Sequence, residues 1–147
     1  MFKHILVATD GSGFSNKAVE TAARLAQSLG AKLLILHVRS PLESPHHVEG
    51  GALSTLGAKA ALQEIEDEER SLLEAAVTIA ANQGIKAETA FVGAYSAHEA
   101  IIRIAGEQHC DLIVMASHGR RGIAGLLLGS ETQKVLTHTS IPVLTVR

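Results

Sequence analysis

The sequence predicts an α/β fold in which an open parallel sheet carries helices on both faces. Short apolar runs alternate along the 147 residues with longer segments of helical periodicity. Several of these runs are continuously apolar, which is typical of strands buried on both faces of a sheet. The order β-α-β-α-β-α-β-α-β contains no internal repeat, and it predicts one domain over residues 1–147.

The first half of the chain contributes two strands and a helix. Uninterrupted apolar residues predict strands at Ile5 to Ala8 and Leu33 to Val38. Between them, Phe14 to Leu29 has helical spacing, and Gly30 ends the pattern. The segment from Ser40 to Gly51 is predicted to be a loop because it holds two prolines and two glycines.

The second half alternates in the same way. A long helix is predicted from Leu53 to Gln83, and its acid-rich middle, Glu64 to Arg70, is interpreted as a solvated face. Ile85 to Val92 alternates apolar and polar residues, as expected of a strand near a sheet edge. The remaining elements are predicted at Ala97 to Glu107 (helix), Leu112 to Ala116 (strand), Ser130 to Thr137 (helix) and Ile141 to Val146 (strand).

Composition excludes several classes of protein. The net charge of −2, the absence of a basic run and the aromatic content of 3% argue against a surface for nucleic acid or anionic membrane. The single cysteine, Cys110, excludes an intrachain disulfide framework and fits a reducing compartment. The apolar N-terminal run stops at Asp10, too early for a signal peptide, and no run approaches a membrane span. We therefore expect a cytoplasmic protein.

Two predicted strands end in glycine-rich turns. The first strand runs into Asp10-Gly11-Ser12-Gly13, and the fourth runs into a loop from Gly119 to Gly129 that holds Arg120 and Arg121. Ser130 follows at the start of a helix. This arrangement is typical of backbone N–H groups gathered around an anion. If the two strands are neighbours where the strand order reverses, both turns border one crevice, which is predicted to bind phosphate.

Three familiar nucleotide motifs do not match. A Walker loop needs Gly-Lys-Ser/Thr, and no lysine in this chain follows a glycine. The dinucleotide fingerprint lacks its third glycine after the first strand, and His37-Val38-Arg39 stands where an acid should end the second strand. A phosphoacceptor domain needs clustered acids after the first strand, where Asp10 stands alone.

For several side chains the sequence allows both a structural and a functional role. Asp10 either orders its own turn or contacts a ribose hydroxyl or a phosphate-bound metal. Ser130 is interpreted as a helix N-cap that also binds phosphate. Arg120 and Arg121 either contact phosphate or are solvated charges. His118 has no acid or nucleophile at motif spacing and is interpreted as structural.

Three further features are interpreted as structural. His46 and His47 are adjacent and point apart, so no metal site is predicted there. Cys110 is predicted to be an inert core thiol. The apolar residues Leu126 to Leu128 are predicted to fold back on the sheet, with contact to a partner as the alternative.

With these motifs in place, the chain resembles the universal stress protein family over essentially its whole length. Nucleotide-binding members carry Gly-x-x-Gly, nine residues and then Gly-Ser/Thr. This chain has Ala116-Ser117-His118-Gly119, then Arg120 to Leu128, then Gly129-Ser130. The opening ILVATDGS and the closing IPVLTVR are also similar to the first and last strands of that family.

The resemblance implies strand order 3-2-1-4-5, as in adenine nucleotide alpha hydrolase-like proteins, and ATP bound between strands one and four. ATP would bind alone or with Mg²⁺ held through its phosphates. The resemblance also implies a homodimer formed through the last strand, Ile141 to Val146. The implied nucleotide-binding residues are Ala8, Thr9, Asp10, Val38, Met115, Ala116, Gly119, Arg120, Gly129, Ser130 and Glu131.

One position departs from the family motif, because Ala116 replaces its first glycine. If this position has a positive φ, alanine in place of glycine would cost on the order of 1–3 kcal/mol of conformational strain. If its φ is ordinary, the replacement would cost little. We expect ATP binding to be retained, since the rest of the phosphate loop is intact.

The main hypothesis is a dimeric, ATP-binding stress-response protein that acts as a nucleotide-dependent switch or binds a partner. One alternative is slow ATP hydrolysis or nucleotidyl transfer, in which Asp10 and Arg120 stabilise charge. The other alternative is a nucleotide-free interaction protein on the same fold.

Overall fold

Strands and helices alternate throughout the computed structural model, which describes residues 1–41, 55–118 and 128–147. The predicted loop Ser40 to Gly51 therefore lies outside the described residues apart from Ser40 and Pro41. In chain order the elements are β1 (His4–Ala8), α1 (Gly13–Leu29), β2 (Lys32–Arg39), α2 (Thr55–Asn82), β3 (Ala87–Gly93), α3 (Ala97–Glu107), β4 (Leu112–Ala116), α4 (Ser130–His138) and β5 (Val143–Val146).

The five strands form one parallel sheet in the order β3-β2-β1-β4-β5, which confirms the predicted fold class and strand order. β1 is the central strand, and Val7 pairs with Ile35 of β2 on one side and with Val114 of β4 on the other. The chain builds outward from β1 to β3 and then returns to the other side of β1. The strand order thus reverses between β1 and β4, and a crevice is expected beyond their carboxyl ends.

Alternate residues of the central strands enter two separate cores. On one face, Ile5 and Val7 pack with α1 and α2, and the α1 residues buried there are mainly alanines. On the other face, Leu6 packs with Ile104 of α3 and Val135 of α4. The unbroken apolar character of these strands follows from their burial on both faces.

Both edge strands begin later than the sequence predicts. β3 begins at Ala87 instead of Ile85, because Ile85 closes the end of α2 by donating its N–H to Ala80 O at 3.2 Å. β5 begins at Val143 instead of Ile141. Pro142 has no N–H to contribute, but its carbonyl still accepts a hydrogen bond from Ile113 N at 2.9 Å.

The long second helix ends at Asn82, close to the predicted Gln83, while its predicted start at Leu53 lies outside the described residues. Among residues 1–41, 55–118 and 128–147, no helix combines the length and the apolar character that a membrane span requires.

Asp111 joins the amino ends of the two central strands. Its carboxylate accepts hydrogen bonds from Lys3 N at 2.8 Å and His4 N at 3.0 Å. Burial alone would raise the pKa of Asp111, but the backbone N–H groups of Lys3 and His4 lower it below its usual value. A carboxyl group with a lowered pKa stabilises the fold above its unfolded-state pKa, and this contribution is lost as the pH falls through the folded-state pKa.

We expect Asp111→Asn to lower the free energy of unfolding at neutral pH by about 1 kcal/mol, a value reduced for solvent screening of this near-surface carboxylate. The variant should also lose less stability on acidification than the wild type. Urea denaturation over a series of pH values measures both effects. Glu107→Gln is the control, because Glu107 forms an exposed pair with Arg103 at 3.0 Å. Parallel stability curves for wild type and Asp111→Asn would contradict the expectation.

Candidate functional site

A crevice lies beyond the carboxyl ends of β1 and β4. Its described walls also include the end of β2, one side of α2 and the first turns of α3 and α4. Gly119, Arg120 and Arg121 lie outside the described residues. The predicted nucleotide-binding residues that the structure does describe all line this crevice: Ala8, Thr9, Asp10, Val38, Met115, Ala116, Gly129, Ser130 and Glu131.

Side chains order the turn after β1. Asp10 Oδ1 accepts a hydrogen bond from Ser12 N at 2.9 Å, and Thr9 Oγ1 accepts one from Gly11 N at 3.2 Å. Gly11 has a φ of +77°, which residues with a side chain rarely adopt. Ser12 then caps α1 by accepting a hydrogen bond from Ser15 N at 3.2 Å. Asp10 therefore has the structural role that its sequence position suggested, and it lines the crevice as well.

The first turn of α4 forms another part of the crevice wall. The N-cap is Gly129 and not Ser130, which is the first helical residue, so the interpretation of Ser130 as the cap is wrong. Gly129 N donates to Ser117 O, and Thr132 Oγ1 donates to Ala116 O at 2.9 Å. These bonds fix the start of α4 to the end of β4. The first N–H groups of a helix have no partner within it, so this helix end favours an anion.

The Glu131 carboxylate connects α4 to α3. Its Oε2 accepts a hydrogen bond from His98 N at 3.0 Å, and its Oε1 accepts one from Lys134 Nζ at 2.9 Å. Burial alone would raise the pKa of Glu131, but the contacts with Lys134 and His98 lower it below its usual value. The negative charge of Glu131 is therefore compensated within the protein, although the residue lies at the crevice.

Ala116 sits in the crevice without backbone strain. It ends β4, and His109, with a φ of 53°, is the one non-glycine residue of the described chain that has a positive φ. The alanine that replaces the first motif glycine thus has an ordinary φ, the case in which the replacement costs little.

Two crevice residues, His37 and Glu69, were not predicted from the sequence. His37 Nδ1 lies 2.8 Å from Thr9 O, and His37 Nε2 lies 2.8 Å from Glu69 Oε2. The interpretation of Glu64 to Arg70 as a solvated face is wrong for Glu69, whose side chain is only 13% exposed. The sequence feature that could have indicated this pair is a histidine, His37, near the end of a strand that is predicted to be buried.

The other singled-out side chains are held by structural contacts. His118 Nδ1 lies 2.9 Å from Ser117 Oγ, and its ring centroid lies 5.8 Å from that of Phe14. Cys110 is buried, and burial, followed by the nearby Asp111 carboxylate, raises the pKa of its thiol to about 11. This pKa keeps the thiol protonated and unreactive at neutral pH.

The described part of the chain contains no group of three or more His, Cys, Asp and Glu side chains able to hold a metal ion. His46 and His47 lie outside the described residues, as do Leu126 and Leu127, whereas Leu128 is half-buried.

Comparison with known proteins gives consistent results. The model of the Universal stress protein family matches residues 1–147. Universal stress protein YxiE of Bacillus subtilis is 37% identical, and the alignment covers 100% of both chains.

Two solved structures share the fold. The structure of hypothetical protein MJ0577, from Methanocaldococcus jannaschii, aligns with a TM-score of 0.79 and 26% identity over 99% of this chain and 96% of that one. A universal stress protein crystallised in complex with cAMP aligns with a TM-score of 0.67 and 28% identity, over 99% of this chain and 97% of that one.

Proposed function

Because the chain belongs to the universal stress protein family, we propose that it is a nucleotide-binding stress-response protein that holds ATP in the crevice between β1 and β4. One observation carries this proposal: the turn after β1 and the N-terminus of α4 border the same crevice at the reversal of strand order. The relative crystallised with cAMP supports an adenine nucleotide as the ligand class.

In this proposal the phosphates lie at the start of α4. The backbone N–H groups of Ser130 and Glu131 and the Ser130 hydroxyl donate to them, in the field of the helix dipole. The adenosine lies toward β1 and β2, beside Thr9 and Asp10, and the backbone of Val38 contacts the adenine. Mg²⁺, when it accompanies ATP, is held through the phosphates.

The same proposal assigns binding, not turnover, to the site. Polar crevice side chains near the strand ends are already engaged in structural contacts: Asp10 with Ser12, His37 with Thr9, and His118 with Ser117. A general base needs a ring nitrogen or carboxylate that is available to the reacting group. The protein would then act in the cytoplasm as a nucleotide-dependent switch or as a partner-binding protein.

We also propose that two copies pair through β5. Among the described residues, no strand pairs with the outer edge of β5. Leu144 on β5 is an exposed large apolar side chain, at 37%. An open apolar edge strand invites pairing with another chain, and a symmetric dimer satisfies it.

Isothermal titration calorimetry of the purified protein with ATP, ADP and AMP tests nucleotide binding. We expect binding at or below millimolar nucleotide, without phosphate release above that of buffer. No binding of any of the three at millimolar concentration would contradict the proposal. Phosphate release that Asp10→Ala abolishes would instead favour the enzyme alternative.

A further inference from the structure

His37 connects three walls of the crevice. Its ring stands at the end of β2, with Nδ1 2.8 Å from the Thr9 carbonyl at the end of β1 and Nε2 2.8 Å from the Glu69 carboxylate on α2. Phe91 of β3 stacks on the ring, with centroids 6.0 Å apart. Arg39 approaches the other oxygen of Glu69, with Nη1 3.7 Å from Oε1. The ring is buried, so water does not replace these neighbours.

Both polar neighbours of the ring are hydrogen-bond acceptors. A carbonyl oxygen only accepts, so His37 Nδ1–H donates to Thr9 O. Nε2 faces the Glu69 carboxylate at 2.8 Å. One side chain thus connects the end of β1 to α2.

Glu69 is held by contacts with two side chains. Its Oε2 is buried and has no well-aligned hydrogen bond among the described residues, although His37 Nε2 lies only 2.8 Å away. Its Oε1 lies 3.7 Å from Arg39 Nη1. A buried carboxylate oxygen without a hydrogen-bond donor needs nearby polar or positively charged groups to offset its lost hydration.

We infer that His37 and Glu69 form a pair that acts as positioning residues for the nucleotide. The inference rests on the proposed function of the crevice. The pair fixes α2 against the sheet, and each of its anchor points adjoins the predicted adenosine side: Thr9 precedes Asp10, and His37 precedes Val38. Without the pair, α2 loses its short contact with the ring at the end of β2, moves outward, and leaves the crevice too wide for the nucleotide.

A double-mutant cycle with ATP titration tests the inference. Glu69→Gln and His37→Gln each change the contact between the two side chains. Each variant is expected to weaken ATP binding by about tenfold, equivalent to about 1.4 kcal/mol. The double variant should bind about as weakly as either single variant, because the two side chains act as one unit. Glu66→Gln is the matched control: it makes the same chemical change on an exposed residue of α2 that is not among the residues lining the crevice. It should stay within about twofold of the wild type.

The ring itself gives a readout that a purely structural role would not move. Imidazole ¹⁵N chemical shifts report the polar contacts of each ring nitrogen. We expect the His37 Nε2 shift to differ between the wild type and Glu69→Gln and to keep its wild-type value in Glu66→Gln, with thermal unfolding confirming that both variants are folded.

An unchanged His37 Nε2 shift in Glu69→Gln, or unchanged or tighter ATP binding in that variant, would overturn the inference while leaving nucleotide binding intact. A wild type that binds no nucleotide would overturn the proposed function, and the positioning role with it. The two failures are therefore distinguishable.

Discussion

Ser130→Pro is expected to remove most of the ATP affinity while the fold stays intact. Ser130 is the first residue of α4, a position where proline is well tolerated because its N–H has no partner within the helix. Gly129 before it has φ −67° and ψ 150°, the extended backbone that a residue preceding proline prefers. Proline thus deletes an N–H that is predicted to bind phosphate and leaves the helix start in place.

The matched control is Ser130→Ala, which removes the hydroxyl and keeps the N–H. Hydrogen bonds to a charged group contribute about 1.5–3 kcal/mol, so Ser130→Pro should bind ATP roughly ten- to a hundredfold more weakly than Ser130→Ala. Calorimetry with ATP and with adenosine measures the difference, and adenosine should bind all forms alike. Equal ATP affinities of the proline and alanine variants, at equal thermal stability, would exclude the helix start as the phosphate site.

Thr145→Pro is expected to convert the proposed dimer into a monomer. The carbonyls of Pro142 and Val146 accept hydrogen bonds from β4. Since strand backbone groups alternate in direction, the N–H of Thr145 points to the outer edge of β5. Proline at such an outward position leaves the hydrogen bonds between β5 and β4 in place. It removes the N–H that would donate to a strand of the second copy, and its ring obstructs the approach of that strand. In a symmetric dimer both copies lose this hydrogen bond, so the dimer dissociation constant should rise by about a hundredfold or more.

The control for this edge is Thr145→Val, which keeps the N–H and the branched shape of the side chain. Analytical ultracentrifugation over a range of concentrations follows the monomer–dimer equilibrium of each form. A wild-type protein that is monomeric at every concentration would refute dimerisation. A Thr145→Pro dimer as tight as the wild type would place the contact between copies elsewhere on the surface.

The sequence was most informative about the sheet. Continuous apolar runs such as Leu33 to Val38 predict strands covered on both sides, because only burial on both faces permits that composition. The polar turn beginning at Asp10 interrupts the first apolar run, and it therefore predicts where that strand ends. The strand order could not be obtained from periodicity, since any order with regular crossovers has the same pattern along the chain, and it was implied by the family resemblance.

The errors have physical causes of their own. Glu69 lies in a run of acids that looks solvated, and its partner His37 is too distant in sequence to appear in any local pattern. The N-cap of α4 was assigned to Ser130 because serine caps helices well, but glycine also serves there and Gly129 has the extended backbone required. The start of β5 was placed too early because a proline carbonyl can join a ladder that its nitrogen cannot.

The carboxylate that joins β1 to β4 and the crevice lie at opposite ends of the same two strands. The pKa of Asp111 lies below its usual value, so its carboxylate stays ionised in mild acid and is protonated only in strong acid. Protonation of Asp111 then removes the link between the amino ends of β1 and β4, whereas the turn after β1 and the start of α4 lie at the far end of the sheet.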